Sequence, residues 1–211
     1  MTLHRATLHP TARRLVLLGT PLLLAVLMLY HSYGGVSSRT TPLPFMALHL
    51  ALLPLFMLLA WGVWLLLDGV RGPVAWFSRL SLGLFVVLYS AYDAVYGLAR
   101  SMMYDYALRH AEPEQGAAIA EAAGSFSNYL AADLIRYGGA ACWCAGLLAA
   151  VWALARAGRP AWPLFFLTLA AVALLFDHPA PPGAVAFGAF LVAAWGLERR
   201  TAARALAHAP S

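Results

Sequence analysis

One stretch of an otherwise apolar chain carries tyrosines, a carboxylate and an arginine at helical spacing. Tyr89, Asp93, Tyr96 and Arg100 are separated by four, three and four residues, so on an α-helix they share one face. An ionised carboxylate facing lipid is costly and usually functional. We therefore predict that Asp93 points into the protein and is the centre of a ligand pocket. The alternative is a structural role, in which Asp93 holds neighbouring helices through hydrogen bonds to tyrosine hydroxyls or His49.

Three histidines lie in or at the ends of the apolar runs, and histidine is the side chain that most often binds metals. His31, His49 and His178, together with Asp93, would be suitable ligands. However, neither HxxxH nor HExxH occurs in the chain, and no two histidines lie on one predicted span, as they often do in helices that bind haem. We predict no cofactor, and haem or a metal at these three histidines is the alternative. A position near the membrane surface would explain His31 and His178 without any function.

The carboxylates also allow an enzyme. Asp93 with Asp133 or Asp177 would form an acid/base pair if burial separated their proton affinities, and His49 would relay protons. Such an enzyme would be a cyclase or isomerase acting on a hydrophobic substrate, which the Tyr and Trp content would suit. Serine hydrolysis is not favoured, because Ser125 lacks the GxSxG turn that exposes a nucleophile.

Composition indicates that these side chains are positioned by membrane helices. Apolar residues make up 62% of the chain and charged residues 11%, against about 25% charged in soluble domains. The 14 basic residues are all arginine and lie singly or in pairs at the ends of apolar runs, as topology determinants and headgroup anchors do. The net charge of +5 therefore does not indicate nucleic acid, for which no basic stripe exists.

Six apolar runs predict an all-α, polytopic membrane bundle in a single domain over residues 1–211. Each membrane-spanning helix needs about 20 residues. Small residues in the fourth run, including Gly139 and Gly146, predict close contact with a neighbouring helix. The connection 100–127 is predicted to be an outer loop with a short surface helix, because acidic Glu112-Pro113-Glu114 precedes helix-forming residues. The predicted spans are 14–30, 44–67, 74–99, 129–154, 162–176 and 182–197.

The distribution of arginines predicts the orientation of this bundle. Basic residues are retained on the cytoplasmic side, and nine of them lie at the two termini and in the second and fourth connections. The nine are Arg5, Arg13, Arg14, Arg71, Arg156, Arg159, Arg199, Arg200 and Arg204. The opposite side has Arg39, Arg100 and Arg109 in its connections and Arg136 just inside the fourth span. We expect both termini in the cytoplasm and a location in a bacterial cytoplasmic (inner) membrane.

This topology gathers the polar side chains of the spans in the outward-facing third of the bundle, whereas the inward half is nearly all apolar. The outward third is therefore where we predict the ligand pocket. Its predicted residues are Asp93, His49, Tyr89, Tyr96, Asp177, His178, His31, Asp133 and Arg136.

The chain contains the stretch Leu88-Tyr-Ser-Ala-Tyr-Asp-Ala-Val-Tyr-Gly97, His31, His49 five residues before Pro54, and His178-Pro with Pro-Gly183. In these features it resembles a group of uncharacterised bacterial multi-pass membrane proteins. The resemblance spans most of the bundle. It implies the architecture and no particular chemistry.

From these patterns we expect a membrane protein whose outward-facing polar pocket binds or transports a small or lipid-like ligand. Its partners would be the lipid bilayer and that ligand; no pattern indicates an oligomeric state. The second hypothesis is the intramembrane acid/base enzyme. The third is a structural or partner-binding subunit, in which Asp93 would matter only for assembly. A continuous polar path is not favoured, although helices broken at Pro21 and Pro54 could supply unwound backbone.

Overall fold

The computed structural model describes residues 9–176 and 181–207. Over these residues the chain is all-α and contains no strand, which confirms the all-α part of the prediction. A 3₁₀ turn over Phe126–Asn128 joins two of the helices. The helices are α1 Pro10–Tyr33, α2 Pro42–Leu66, α3 Pro73–Arg109, α4 Pro113–Ser125, α5 Leu130–Arg156, α6 Ala161–Ala173 and α7 Pro182–Ala207.

Four of these helices, α1, α2, α3 and α5, are long and apolar enough to cross a membrane. Many of their large apolar side chains are exposed, among them Leu22, Met57, Leu84 and Trp152. Acyl chains are the favourable surroundings for such a surface, whereas water is not. Length, composition and exposed surface together indicate a membrane protein. Helix α6 is also apolar but has 13 residues, fewer than the about 20 of a typical span.

Helix α3 is longer than the sequence analysis predicted. It runs to Arg109, ten residues beyond the predicted end at residue 99, so the first part of the connection 100–127 is helical. Residues 100–109 are too polar to extend an apolar run, but they contain neither Gly nor Pro. Glu112, three residues after the end of the helix, has an extended backbone, because Pro113 disfavours helical backbone at the residue before it. Helix α4 then begins at that proline.

Large aromatic side chains fill the centre of the bundle. Phe56 of α2 lies 5.7 Å from Phe85 and 5.3 Å from Tyr89, both of α3, measured between ring centroids. Trp143 of α5 lies 5.1 Å from Phe85, and its indole N–H donates a 3.0 Å hydrogen bond to the carbonyl of Ala170 in α6. This bond satisfies the one polar atom of a fully buried tryptophan.

Helices α3 and α5 approach closely at two glycines. A Cβ atom at Gly139 would lie 2.6 Å from the Tyr89 ring, and one at Gly146 would lie 2.9 Å from the Leu82 side chain. Small residues of this kind let membrane helices pack backbone to side chain. The contact places the start of α5, with Arg136, beside the second half of α3.

At one end of the bundle, charged side chains join the helices. The guanidinium of Arg13 in α1 donates a 2.8 Å hydrogen bond to the carboxylate of Glu198 in α7 and a 3.1 Å bond to the carbonyl of Leu65 in α2. Arg79 of α3 donates a 3.0 Å bond to the carbonyl of Leu67, which follows α2. We call this region, defined by these five residues, the paired end.

Candidate functional site

A cavity of about 320 Å³ lies at the other end of the bundle. Three long helices, α2, α3 and α5, and the end of α1 with its following loop surround it. We call it the cationic cavity and its surroundings the cavity end. Its lining consists of His31, Val36, Ser37 and Ser38 from α1 and the following loop, Phe45 and His49 from α2, Tyr92, Tyr96 and Arg100 from α3, and Arg136 from α5.

Stacked rings form the α1 and α2 side of this cavity. The imidazole centroid of His49 lies 4.2 Å from the Phe45 ring and 5.2 Å from the His31 ring. His49 is 1% exposed, and its Nδ1 lies 2.9 Å from the Phe45 carbonyl oxygen. Because a carbonyl can only accept, Nδ1 carries a hydrogen. This bond within one helical turn fixes the orientation of the His49 ring.

Helix α3 can reach His49 only because residue 97 is glycine. A Cβ atom at Gly97 would overlap the His49 ring. The Gly97 carbonyl accepts a 2.5 Å hydrogen bond from the hydroxyl of Ser101, which is fully buried one turn later. The glycine therefore sets the distance between α2 and α3 beside the cavity.

The same part of α3 has an irregular backbone. Residues Asp93–Ala99 form a π-helical segment, in which hydrogen bonds span five residues instead of four, a feature frequent at functional sites. The extra residue per turn changes which side chains share a face. Tyr92, Tyr96 and Arg100 line the cavity, whereas Tyr89 lies in the aromatic core. The single polar face predicted from an ideal α-helix is therefore split at Asp93.

Arg100 lies on a stack of tyrosine rings. The Tyr92 and Tyr96 rings are 5.1 Å apart with an interplanar angle of 12°, and the Arg100 guanidinium carbon lies 4.5 Å from the Tyr96 centroid. Arg100 also lies 5.6 Å from the Tyr104 ring. Its Nε is buried and has no hydrogen-bond partner among the described residues. Cation–π contact holds the guanidinium in place, and a hydrogen bond with Tyr104 engages part of it. Its five N–H donors leave others for a ligand.

Arg136 supplies a second guanidinium from the opposite helix. It is half-buried, and its guanidinium carbon lies 5.1 Å from the Tyr137 ring. Among the described lining residues there are two arginines and two histidines but no carboxylate. Asp133, one turn before Arg136, is exposed and does not line the cavity. The cavity therefore presents positive charge and hydrogen-bond donors on several sides.

Asp93, the predicted centre of the site, does not line this cavity. Its side chain is fully buried, and neither carboxylate oxygen has a hydrogen-bond partner within the described parts of the chain. The structure therefore shows none of the hydrogen bonds that the alternative, structural role requires. Asp93 begins the π segment, one turn before the glycine that contacts His49. It is a buried polar group without compensation, which is costly.

The structure brings four of the predicted residues together and separates others. His31, His49, Tyr96 and Arg136 line the cavity. Tyr89 and Asp93 are buried elsewhere, and Asp133 is on the surface. Asp177 and His178 lie outside the described residues.

Sequence reasoning missed five polar or aromatic lining residues. Arg100 was recognised on the polar face of α3 but not assigned to the pocket, and Tyr92 precedes Tyr96 by the same four residues that separate Tyr96 from Arg100. That four-residue spacing was the available signal. The other three, Ser37, Ser38 and Phe45, come from the loop after α1 and the first turn of α2, and no spacing links them to α3.

Metal ligands were a further alternative. Within residues 9–176 and 181–207, no group of three or more His, Cys, Asp and Glu side chains is arranged to hold a metal ion. His31 and His49 lie side by side, with ring centroids 5.2 Å apart. The third proposed ligand, His178, is outside the described residues, so the haem or metal alternative stays a prediction.

Fold and site together define a helical membrane protein with a cationic, tyrosine-lined cavity at one end of its bundle. Comparisons of the chain with protein-family models, with curated proteins and with solved structures find no match. Functional inference therefore starts from the cavity itself.

Proposed function

We propose that this membrane protein binds a small anionic group, a phosphate or a carboxylate, in the cationic cavity. The observation that carries the proposal is that two guanidinium groups, Arg100 of α3 and Arg136 of α5, line one cavity together with hydroxyl donors. A guanidinium forms paired, charge-assisted hydrogen bonds with such anions. In a partly buried cavity these bonds are stronger than in water.

Neutral donors complete this binding site. The hydroxyls of Ser37, Ser38, Tyr92 and Tyr96 line the same cavity, and Ser38 is 6% exposed. An anion that leaves water loses hydrogen bonds on all sides, and a site binds it well only when donors replace them. The arginines would supply the counter-charge, and the hydroxyls would satisfy the remaining oxygen atoms.

The proposal includes the orientation of the bundle. Helices α6 and α7 pack into the same core as the four long helices, through Leu167 and Ala170 of α6 and Phe187 and Phe190 of α7. We therefore infer six spans with both termini in the cytoplasm, as the arginine distribution indicates. The cavity end would then face outward from a bacterial inner membrane.

Binding would be the first step of transport if the protein moves its ligand. The paired end would have to open for that, because Arg13 there joins α1, α2 and α7 through Glu198 and the Leu65 carbonyl. An acid/base enzyme needs two carboxyl groups facing a substrate. The described lining has none, so we do not extend the proposal to catalysis.

Equilibrium titration of the purified full chain with inorganic phosphate in a nonionic detergent tests the proposal. We expect saturable binding that Arg136→Gln weakens at least tenfold. The matched control is Arg156→Gln, because Arg156 is exposed at the other end of the same helix, about 30 Å away at about 1.5 Å per residue. Ionic strength is held constant with chloride, so that general screening does not imitate the effect.

Equal weakening by the two variants would overturn the proposal, since it would assign the binding to overall charge. An absence of saturable binding for both phosphate and acetate would also overturn it. That outcome would favour the third hypothesis, a structural or partner-binding subunit.

A further inference from the structure

An apolar groove adjoins the cationic cavity and shares two residues with it. The groove has a volume of about 350 Å³, and Tyr92 and Tyr96 line both spaces. The stacked rings of these tyrosines therefore form the boundary at which the two spaces meet. On the α3 side the groove is continued by Val95, and on the α5 side by Ala131, Ala132 and Ile135.

The chemistry changes across this tyrosine pair. On the cavity side the lining carries two arginines and two histidines. Every described groove residue other than its tyrosines is apolar, and none is charged. A ligand that occupied both spaces would need an anionic head and an apolar tail.

The groove also opens to the outside of the bundle. Val95 is 50% exposed and Tyr129, at the start of α5, is 62% exposed. On a membrane helix, exposed apolar side chains meet acyl chains, and tyrosines concentrate at the depth of the headgroups. A lipid could therefore enter the groove sideways from the bilayer, with its head at the depth of Arg100.

We propose that the ligand is a lipid phosphate monoester from the surrounding bilayer. Its phosphate binds Arg100 and Arg136, and its acyl chain passes Tyr92 and Tyr96 into the groove. This inference rests on the proposed function and specifies its ligand. A phosphate monoester carries about −1.5 to −2 charges at neutral pH. Two guanidinium groups from two helices balance this charge, whereas a carboxylate ligand would carry only one negative charge. The two tyrosines that line both cavity and groove favour a single amphiphilic lipid over a separate protein partner in the groove.

Binding of three probes to the full chain in a nonionic detergent tests this inference. The probes are oleoyl-lysophosphatidic acid, glycerol 3-phosphate, which lacks the chain, and oleoyl-lysophosphatidylcholine, which has a zwitterionic head. We expect the lysophosphatidic acid to bind at least tenfold more tightly than either other probe, because it alone combines the apolar chain with the monoester phosphate.

Variants that fill the groove distinguish binding of the acyl chain from binding of the phosphate. Ala131→Trp is expected to weaken the lysophosphatidic acid at least tenfold and to leave glycerol 3-phosphate within twofold. Val95→Trp is the second variant and fills the groove from α3. The matched control is Ala141→Trp, because Ala141 is exposed on the same helix as Ala131 and is not among the residues lining the groove. Retained glycerol 3-phosphate binding shows that each variant is folded.

The outcomes distinguish this inference from the proposed function. If glycerol 3-phosphate binds through Arg100 and Arg136 but the lipid binds no more tightly, the ligand is not an amphiphile and only this inference is overturned. Equal binding of both lysolipids would overturn it as well, because the head would then play no part. If neither glycerol 3-phosphate nor inorganic phosphate binds through the arginines, the proposed function is overturned, and this inference with it.

Discussion

Arginines lie at both ends of the helical bundle, and their surroundings differ. At the paired end, Arg13 donates hydrogen bonds to the Glu198 carboxylate and the Leu65 carbonyl, and Arg79 donates to the Leu67 carbonyl. These guanidinium groups neutralise a carboxylate or donate to carbonyls at the end of α2, which also accept backbone hydrogen bonds from Asp68 and Val70. Their positions are explained by structure alone.

At the cavity end the guanidinium of Arg100 rests on the Tyr96 ring, and its Nε has no hydrogen-bond partner among the described residues. The buried carboxylate of Asp93 also lacks one. A protein retains uncompensated polar groups where function needs them, at a cost in stability. The difference between the ends supports our proposal that a ligand binds at the cavity end, whereas the arginines of the paired end join helices.

The largest stability effect is expected at Gly97. Gly97→Ala should lower the free energy of unfolding by about 1–3 kcal/mol, because the added methyl group forces the His49 ring out of its place. Phosphate binding should weaken as well, since His49 lines the cavity. The control is Gly83→Ala on the same helix, where a Cβ meets no atom within 4 Å; it should stabilise α3 by up to about 1 kcal/mol. Unfolding titrations in mixed micelles measure both.

Replacement of Asp93, unlike that of Gly97, is expected to stabilise the protein. Asp93→Ala should raise the free energy of unfolding by about 1 kcal/mol, because it removes a buried group that has no hydrogen-bond partner among the described residues. Asp133→Ala, at an exposed site on α5, should change stability by less than about 0.5 kcal/mol. The same titrations apply. A loss of stability in Asp93→Ala would show that the carboxylate has a partner, and the contrast between the two ends would disappear.

The smallest effect is expected at the paired end. Glu198→Gln should lower the free energy of unfolding by about 0.5 kcal/mol, because the Glu198 and Arg13 side chains are 19% and 26% exposed and solvent screens their attraction. Phosphate affinity should stay within twofold of wild type. Glu121→Gln, at an exposed site on α4, is the stability control. A large loss of phosphate binding in Glu198→Gln would contradict the assignment of binding to the cavity end alone.

The sequence was sufficient to predict most of the helices, because apolar runs, prolines and arginines are local signals. The extension of α3 beyond Ala99 could also have been predicted. The first residue after Ala99 that disfavours a helix is the one before Pro113, whereas the loss of hydropathy after Ala99 does not end a helix. The π segment that begins at Asp93 was not predictable from spacing. It depends on a shift of backbone hydrogen bonds in a segment that contacts α2, and side-chain spacing does not report such a shift.

Because spacing does not report packing, the sequence predicted only some residues of the candidate site. His49 and Tyr96 were predicted because each is a polar group inside an apolar run. Tyr89 was assigned to the pocket by helical spacing, but packing against Gly139 places it in the core. Ser37 and Ser38 reach the cavity only through the path of the loop after α1, which sequence patterns do not specify.

The position of a bound phosphate mimic tests the central claim most directly. Tungstate resembles phosphate in shape and charge and scatters X-rays strongly enough to be located by anomalous diffraction in crystals of the full chain. The account predicts an anomalous peak between the guanidinium groups of Arg100 and Arg136, within hydrogen-bonding distance of both. A peak beside Arg156 or Arg159 with none in the cavity would contradict it, because the anion would then select exposed arginines over the cavity.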